Sequence, residues 1–365
     1  MDFTNLFEYE KYACEKLHKT AFDYYSSGAH DEITLRDNRE AYNRIQIHYK
    51  VLVDVSKRDS STEVFGQKIS FPLIIAPTAF HKMAHNEGEC AVAKAAVKAD
   101  TIMCLSTLSN TTVEDVSRDC NANFWFQLYV FRDKAVTEKL VRRVEKAGAK
   151  AIVVTVDAPL LGTREKDVKN KFQLPQGLSV INLMPDSKEE LPQKGTDNKP
   201  DSGLSLYFNE MLDQSLNWKD IEWLATITKL PIILKGIVRP DDALRAIEYG
   251  AKGIVVSNHG GRQLDTSPAT IEVLPSIAEA VDNKIEVLVD GGIRRGTNIL
   301  KAVALGAKAV LVGRPVLWGL ACNGSEGVYS VLSMLKKEFD LAMALSGCPS
   351  IKDIQRDLVS FSSNK

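Results

Sequence analysis

Eight short apolar or β-branched runs, at 72–79, 101–108, 124–130, 151–157, 231–237, 253–260, 286–292 and 309–315, recur between helix-like segments. Their hydrophobicity is continuous rather than alternating, as in strands buried on both faces, which is the condition of a parallel sheet wrapped by helices. Periodic stretches such as 134–147 and 239–249 lie between them, with Gly148 and Gly250 just past their ends as C-cap candidates. Eight strand–helix units predict an α/β fold, the TIM (β/α)8 barrel. A doubly wound open sheet is the other architecture compatible with the pattern, because periodicity alone does not close a sheet.

The chain of 365 residues exceeds the ~250 typical of such a barrel, so the surplus needs a place within one domain spanning 1–365. Residues 1–70 read as an N-terminal extension, with a helix over 9–25 that could cover one barrel mouth. The irregular segment at about 174–204, rich in Pro, Gly, Asp and Lys, reads as a lid or a disordered insert. Its position after the fourth strand, above the presumed site, favours the lid.

Composition narrows the partners. With 44% hydrophobic and 25% charged residues and a net charge of −1, the chain is neither disordered nor equipped with the basic patch that nucleic acid or an anionic membrane requires. A small-molecule partner is expected. The cysteines 14, 90, 104, 120, 322 and 348 show no metal-ligand spacing, so no metal site is expected and the thiols read as reduced. Met1-Asp2-Phe3-Thr4 has no leader character, no apolar run reaches the ~18 residues of a membrane helix, and Ser363-Asn364-Lys365 is not the peroxisomal Ser-Lys-Leu. The expected location is cytoplasmic.

The chemistry gathers where these runs end. Ser257-Asn258-His259-Gly260-Gly261-Arg262-Gln263-Leu264-Asp265 places an imidazole that can move a proton three residues from a guanidinium that can hold a carboxylate. Both would stand at a strand's C-terminal end, where barrel enzymes keep their active sites. Taken alone, the run is equally a loop whose His and Arg bond nearby carbonyls. Asp157, ending the fourth strand, could converge on His259 and orient it as a general base. The other histidines, 18, 30, 48, 81 and 85, have no such context and read as surface or structural residues.

Other strand ends carry Pro77-Thr78-Ala79, Ser106, Gln127 with Tyr129, Thr155 and Lys235. Buried polar atoms cost free energy unless partnered, so this set calls for a polar, planar ligand with several acceptors. Lys235 suits either a Schiff base or the stabilisation of negative charge on a cofactor ring. Asp290-Gly291-Gly292-Ile293-Arg294 and Gly313-Arg314-Pro315 end the last two strands, the usual phosphate position of this fold. Two ordinary tight turns would account for the glycines, but both motifs in place point to a phosphorylated cofactor.

With those residues in view, the chain closely resembles the FMN-dependent L-2-hydroxy acid oxidases, the group of glycolate oxidase and L-lactate oxidase. The likeness runs from Tyr24-Tyr25-Ser26-Ser27-Gly28-Ala29 to Met343-Ala344-Leu345-Ser346-Gly347-Cys348, with 257–265 as the signature. The resemblance implies FMN held by Pro77, Thr78, Ala79, Ser106, Gln127, Thr155, Lys235 and Ser257 around the ring, with Lys235 easing electron acceptance. Asp290, Gly291, Gly292, Arg294, Gly313 and Arg314 would serve the ribityl and phosphate. It implies Tyr24, Tyr129, Arg164 and Arg262 as binders of the substrate carboxylate, and His259, supported by Asp157, as the base. Proton abstraction from the hydroxyl during hydride departure and abstraction of the α-proton first both suit this set.

Leu108 stands where plant-type glycolate oxidases carry tryptophan, and Phe208 where they carry a smaller aliphatic residue. This pattern resembles bacterial or cyanobacterial-type L-lactate oxidases, since leucine leaves apolar room for a substrate methyl group; Phe80 either lines that room or fills the core. The expectation is oxidation of L-lactate, and more weakly glycolate and other short L-2-hydroxy acids, to the 2-oxo acid, with O2 reduced to hydrogen peroxide, in a homotetramer. Glycolate as the main substrate, a flavin L-lactate dehydrogenase using a non-O2 acceptor, and a non-catalytic flavin- or metabolite-binding barrel are the rivals.

Overall fold

The computed structural model describes residues 3–120, 123–182 and 211–362, excluding the side chains of 119 and 120. Phe208 and residues 183–204 of the expected lid lie outside them. Eight parallel strands, numbered here as barrel strands, form a closed barrel: β1 Leu73–Ile75, β2 Met103–Ser106, β3 Phe124–Leu128, β4 Ile152–Thr155, β5 Ile232–Ile237, β6 Gly253–Val256, β7 Glu286–Asp290 and β8 Ala309–Val312. Closure is made by β8 on β1, with Val310 opposite Leu73 and Val312 opposite Ile75. That pairing eliminates the open sheet. The ladders are shorter than the apolar runs because each run continues into the loop beyond its strand.

Helices Lys134–Lys146 and Pro240–Glu248 occupy the periodic stretches, with Gly148 and Gly250 in positive φ just past their ends. The N-terminal extension folds as two helices, Leu6–Lys16 and Lys19–Ser26, rather than one. They break at Leu17, whose extended backbone separates them.

Strand pleating sorts side chains inward and outward with period two. Inward at mid-height stand Ile74, Cys104, Trp125, Val153, Ile233, Val255, Leu288 and Leu311, an apolar layer filling the barrel. Two residues further along the same strands come Ala76, Ser106, Gln127, Thr155, Lys235, Ser257, Asp290 and Gly313. This upper layer is polar in six of eight positions, so the barrel is dry below and hydrophilic at its C-terminal mouth. The N-terminal mouth is stopped by the hairpin of strands Thr62–Val64 and Gln67–Ile69, whose tip residue Phe65 meets Trp125 edge-on with ring centroids 5.5 Å apart.

Candidate active site

The upper layer floors a cleft with about 1060 Å³ of empty space, part of it open to solvent. Tyr24, Pro77, Thr78, Ala79, Ser106, Leu108, Gln127, Tyr129, Thr155, Arg164, Lys235, His259, Arg262, Asp290, Gly291, Gly292, Arg294, Gly313 and Arg314 all line it. Two expected residues stand behind the lining. Asp157 supports His259 from the rear, with Oδ1 2.8 Å from Nδ1. Ser257 takes hydrogen bonds at Oγ from the His259 backbone N–H (3.1 Å) and the Lys235 ammonium (2.9 Å).

β4 and β6 are not neighbours, and the Asp157–His259 pair crosses over β5. A bulge there, between Lys235 and Ile237, makes the crossing feasible. Gly236 lies in it at φ +118°, and a Cβ would fall 2.5 Å from the Asp157 Cβ. His259 itself adopts φ +59°, a left-handed conformation that costs a non-glycine residue free energy and persists only where surroundings over-determine it. Here the Ser257 hydroxyl and the Asp157 carboxylate are what determine it.

The charges are set by the same enclosure. Burial pushes the His259 imidazole below its ordinary value, and Asp157 only partly opposes this, so the ring is neutral at neutral pH with Nε2 free of the Asp157 bond. Burial would raise the Asp157 carboxyl, but His259 and Lys235 bring it below its usual range. Burial would likewise lower Lys235, yet Asp290, 3.2 Å from its ammonium, and Asp157 raise it. Of the two roles the sequence left open, the stabilisation of negative charge suits a lysine paired with Asp290, since a Schiff base requires the uncharged amine.

Helix Lys19–Ser26 delivers Tyr24 and Tyr25 to this mouth. Tyr24 stacks on Phe172, with centroids 4.4 Å apart, and the guanidinium carbons of Arg262 and Arg164 lie 5.0 and 5.5 Å from its ring centre. Arg262 donates to the carbonyls of Tyr24 (2.7 Å) and Ser27 (2.9 Å). Arg164 forms an ion pair with Asp167 at 3.1 Å, while its Nη2 is buried without a hydrogen-bond partner. Burial, reinforced by Arg164, lowers Arg262 to about 10. Two crowded guanidiniums, one with an unspent buried donor, are a set that could hold a carboxylate.

Arg294 and Arg314 lie at the opposite end. Burial lowers them to about 10 and about 9. Arg314 is already tied to the carbonyls of Tyr25, Ser27 and Gly260 at 2.8–3.0 Å, whereas Arg294 Nε and Asp290 Oδ1 are buried and unpartnered. Five cationic side chains line the cleft against one carboxylate, Asp290. An FMN fits this donor set: the cation surplus would hold its phosphate, the orphaned Asp290 oxygen would accept from the ribityl hydroxyls, and Gln127, Ser106 and Thr155 would hold the ring. Gly292 answers to packing as well, because at φ +79° its Cβ would fall 1.8 Å from the Asn38 carbonyl oxygen.

Sequence reasoning missed several participants. Tyr25 lines the cleft, and its hydroxyl donates to the Phe80 carbonyl at 2.6 Å; its adjacency to Tyr24 was the only signal. Asp167 is three residues from Arg164, a helical spacing that could have flagged the pair. Phe80 is fully buried at φ +61°, 5.6 Å from Tyr24 between centroids, and is core rather than cleft lining. His81 is also buried, with Nε2 2.6 Å from the Thr78 hydroxyl, so its structural reading stands and a surface one does not. Among the described residues no metal-binding cluster forms, no helix is long and apolar enough to cross a membrane, and Cys14, Cys104, Cys322 and Cys348 are free thiols.

Known proteins are similar over nearly the whole chain. The profile of the FMN-dependent dehydrogenase family matches residues 13–361. Glycolate oxidase 3 of Arabidopsis thaliana is 52% identical over 356 residues, 98% of this chain and 95% of its own. L-lactate oxidase of Nostoc sp. is 53% identical over 355 residues, 96% of each chain. A crystal structure of mandelate oxidase with (S)-4-hydroxymandelic acid superposes with a TM-score of 0.91 at 39% identity, covering 98% of both chains. The expected cytoplasmic location is corrected: two further Arabidopsis thaliana relatives, 51% identical, are named peroxisomal (S)-2-hydroxyacid oxidases. Compartment is addressed by signals a receptor reads, independently of the barrel, so composition and the lack of a membrane helix carry no information on it. The chain belongs to the FMN-dependent dehydrogenase family: it is an FMN-binding oxidoreductase of the 2-hydroxyacid oxidase group, whose reaction is the O2-linked oxidation of a short 2-hydroxy acid.

Proposed function

We propose that the protein oxidises L-lactate, and more weakly glycolate and other short L-2-hydroxy acids, to the 2-oxo acid, with O2 reduced to hydrogen peroxide. The observation carrying this reading is the convergence of a neutral His259, backed by the Asp157 carboxylate, with Arg164, Arg262, Tyr24 and Tyr129 on one cleft. Arg164 and Arg262 hold the substrate carboxylate, and the two tyrosines enclose it, fixing the α-carbon relative to the base. His259 Nε2 takes up a substrate proton, and Asp157 stabilises the imidazolium that results. When bound, FMN supplies two-electron acceptance and delivery to O2. Lys235, kept cationic by Asp290, places positive charge where that electron uptake builds negative charge. A regulatory barrel without catalysis would have no use for a buried, oriented base.

The lactate preference rests on Leu108, a buried residue lining the cleft, whose apolar surface accommodates a methyl group better than an indole would. One such group is worth only ~1–3 kcal/mol, so both acids are turned over. Glycolate as the main substrate is the second reading, favoured by the 52% identity to a glycolate oxidase. Comparing kcat/KM for L-lactate and glycolate decides between them, and a preference for glycolate defeats ours. Anaerobic reduction by substrate followed by mixing with O2 separates an oxidase from a dehydrogenase, which would reoxidise slowly. The proposal takes residues 1–365 as one domain and the holoenzyme as a homotetramer; light scattering tests the latter.

A further inference from the structure

The base and the two arginines assigned to the substrate carboxylate sit on two loops that no ladder joins. Asp157 and Arg164 belong to the loop after β4, His259 and Arg262 to the loop after β6, and β5 runs between them. Gln263 spans the gap. Its side-chain Nε2 donates to the Asp157 carbonyl oxygen (3.1 Å) and the Leu160 carbonyl oxygen (2.8 Å), while its Oε1 accepts from the Gly162 N–H (2.9 Å). The loops touch at the backbone there, since a Cβ on Gly162 would lie 2.4 Å from the Arg262 carbonyl oxygen.

Two carbonyls and one N–H require two donors and one acceptor on a single planar group, and among side chains only a primary amide offers that. Asparagine has the group but is one methylene shorter. A carboxylate would set an anion against two carbonyl oxygens. We propose that Gln263 is a positioning residue of the reaction, fixing the Asp157 loop against His259 and so setting the base's orientation and its proton affinity.

This rests on His259 being the base, so the His259→Gln enzyme is measured alongside. The main variant is Gln263→Met, similar in length but without hydrogen bonds. Its holoenzyme is expected to bind FMN with a native absorption spectrum, and its kcat/KM for the hydroxy acid to fall on the order of 100-fold, as for misplacement by about 1 Å. Because Asp157 raises the proton affinity of His259, loosening the pair moves the acid limb of the kcat/KM profile to lower pH. Gln263→Glu is the second variant: protonated, its carboxyl still donates one bond and accepts one, so activity is expected to decline as pH rises and this group ionises. Wild-type kcat/KM and pH profile in both variants would overturn the proposal. So would a loss that follows the fall in Tm alone with the acid limb unmoved, since that is the mark of a merely structural residue. If His259→Gln retains activity, the base assignment fails instead, whatever Gln263 does.

Discussion

The two mouths of the barrel are built from the same strands and share almost no chemistry. At the N-terminal mouth, Phe65 and the hairpin around it seal an apolar stack that continues through Trp125 and Leu288. At the C-terminal mouth, one pleat higher, the inward positions become Ser106, Gln127, Thr155, Lys235, Ser257 and Asp290, crowned by His259 and the arginines. The lower mouth gains free energy by removing apolar surface from water. The upper one gives some back by enclosing charges with unspent hydrogen bonds. Stability and reactivity are therefore divided along the barrel axis, and a substitution should disturb one without the other.

The sharpest break of that division is His259→Gln, which removes the base while leaving the fold. Its kcat/KM is expected to drop ~10²–10⁴-fold, the usual share of general base catalysis, with Tm within a few degrees of wild type. The mirror experiment is Phe65→Ala. It should cost about 3 kcal/mol of unfolding free energy, read by denaturant titration, while kcat/KM per folded enzyme changes less than twofold. A comparable loss of activity would mean the two mouths are coupled.

Leu108→Trp sharpens the comparison within the upper mouth. Filling the apolar room should lower the lactate-to-glycolate ratio of kcat/KM by roughly 10-fold or more, as a lost methyl pocket does, without moving Tm. The smallest expected effect is the pH displacement. With His259 held below its ordinary 6.5 by burial, wild-type kcat/KM should rise through an acid limb centred under that value and be flat at neutrality. A limb above it would show that Asp157, not desolvation, governs the imidazole.

Much of this division was legible in the residues. Ser106, Gln127, Thr155 and Lys235 stood out because polar groups at the ends of buried strands need a reason, and the reason is the cleft. The cation-rich ends of β7 and β8 were found in the same way. What could not be read was contact between distant segments. Ser27 and Tyr25 use backbone carbonyls to bind Arg262 and Arg314, and a carbonyl has no residue-type signature. Gly292 looked like a phosphate turn and is also obliged to be glycine by Asn38, more than two hundred residues earlier. The hairpin plug was missed because its strands are three residues each, too short for periodicity to register.

Local chemistry is written in the chain itself. Runs that bury both faces demand a parallel sheet, and an imidazole or guanidinium at a strand end announces what it can do wherever it lies. Closure of the sheet, the crossing of Asp157 to His259 over a bulged β5, the lowering of the imidazole's proton affinity by burial and the pairing of Lys235 with Asp290 were decided only on folding. They depend on distance and on the exclusion of water, and neither exists until segments remote in sequence pack together.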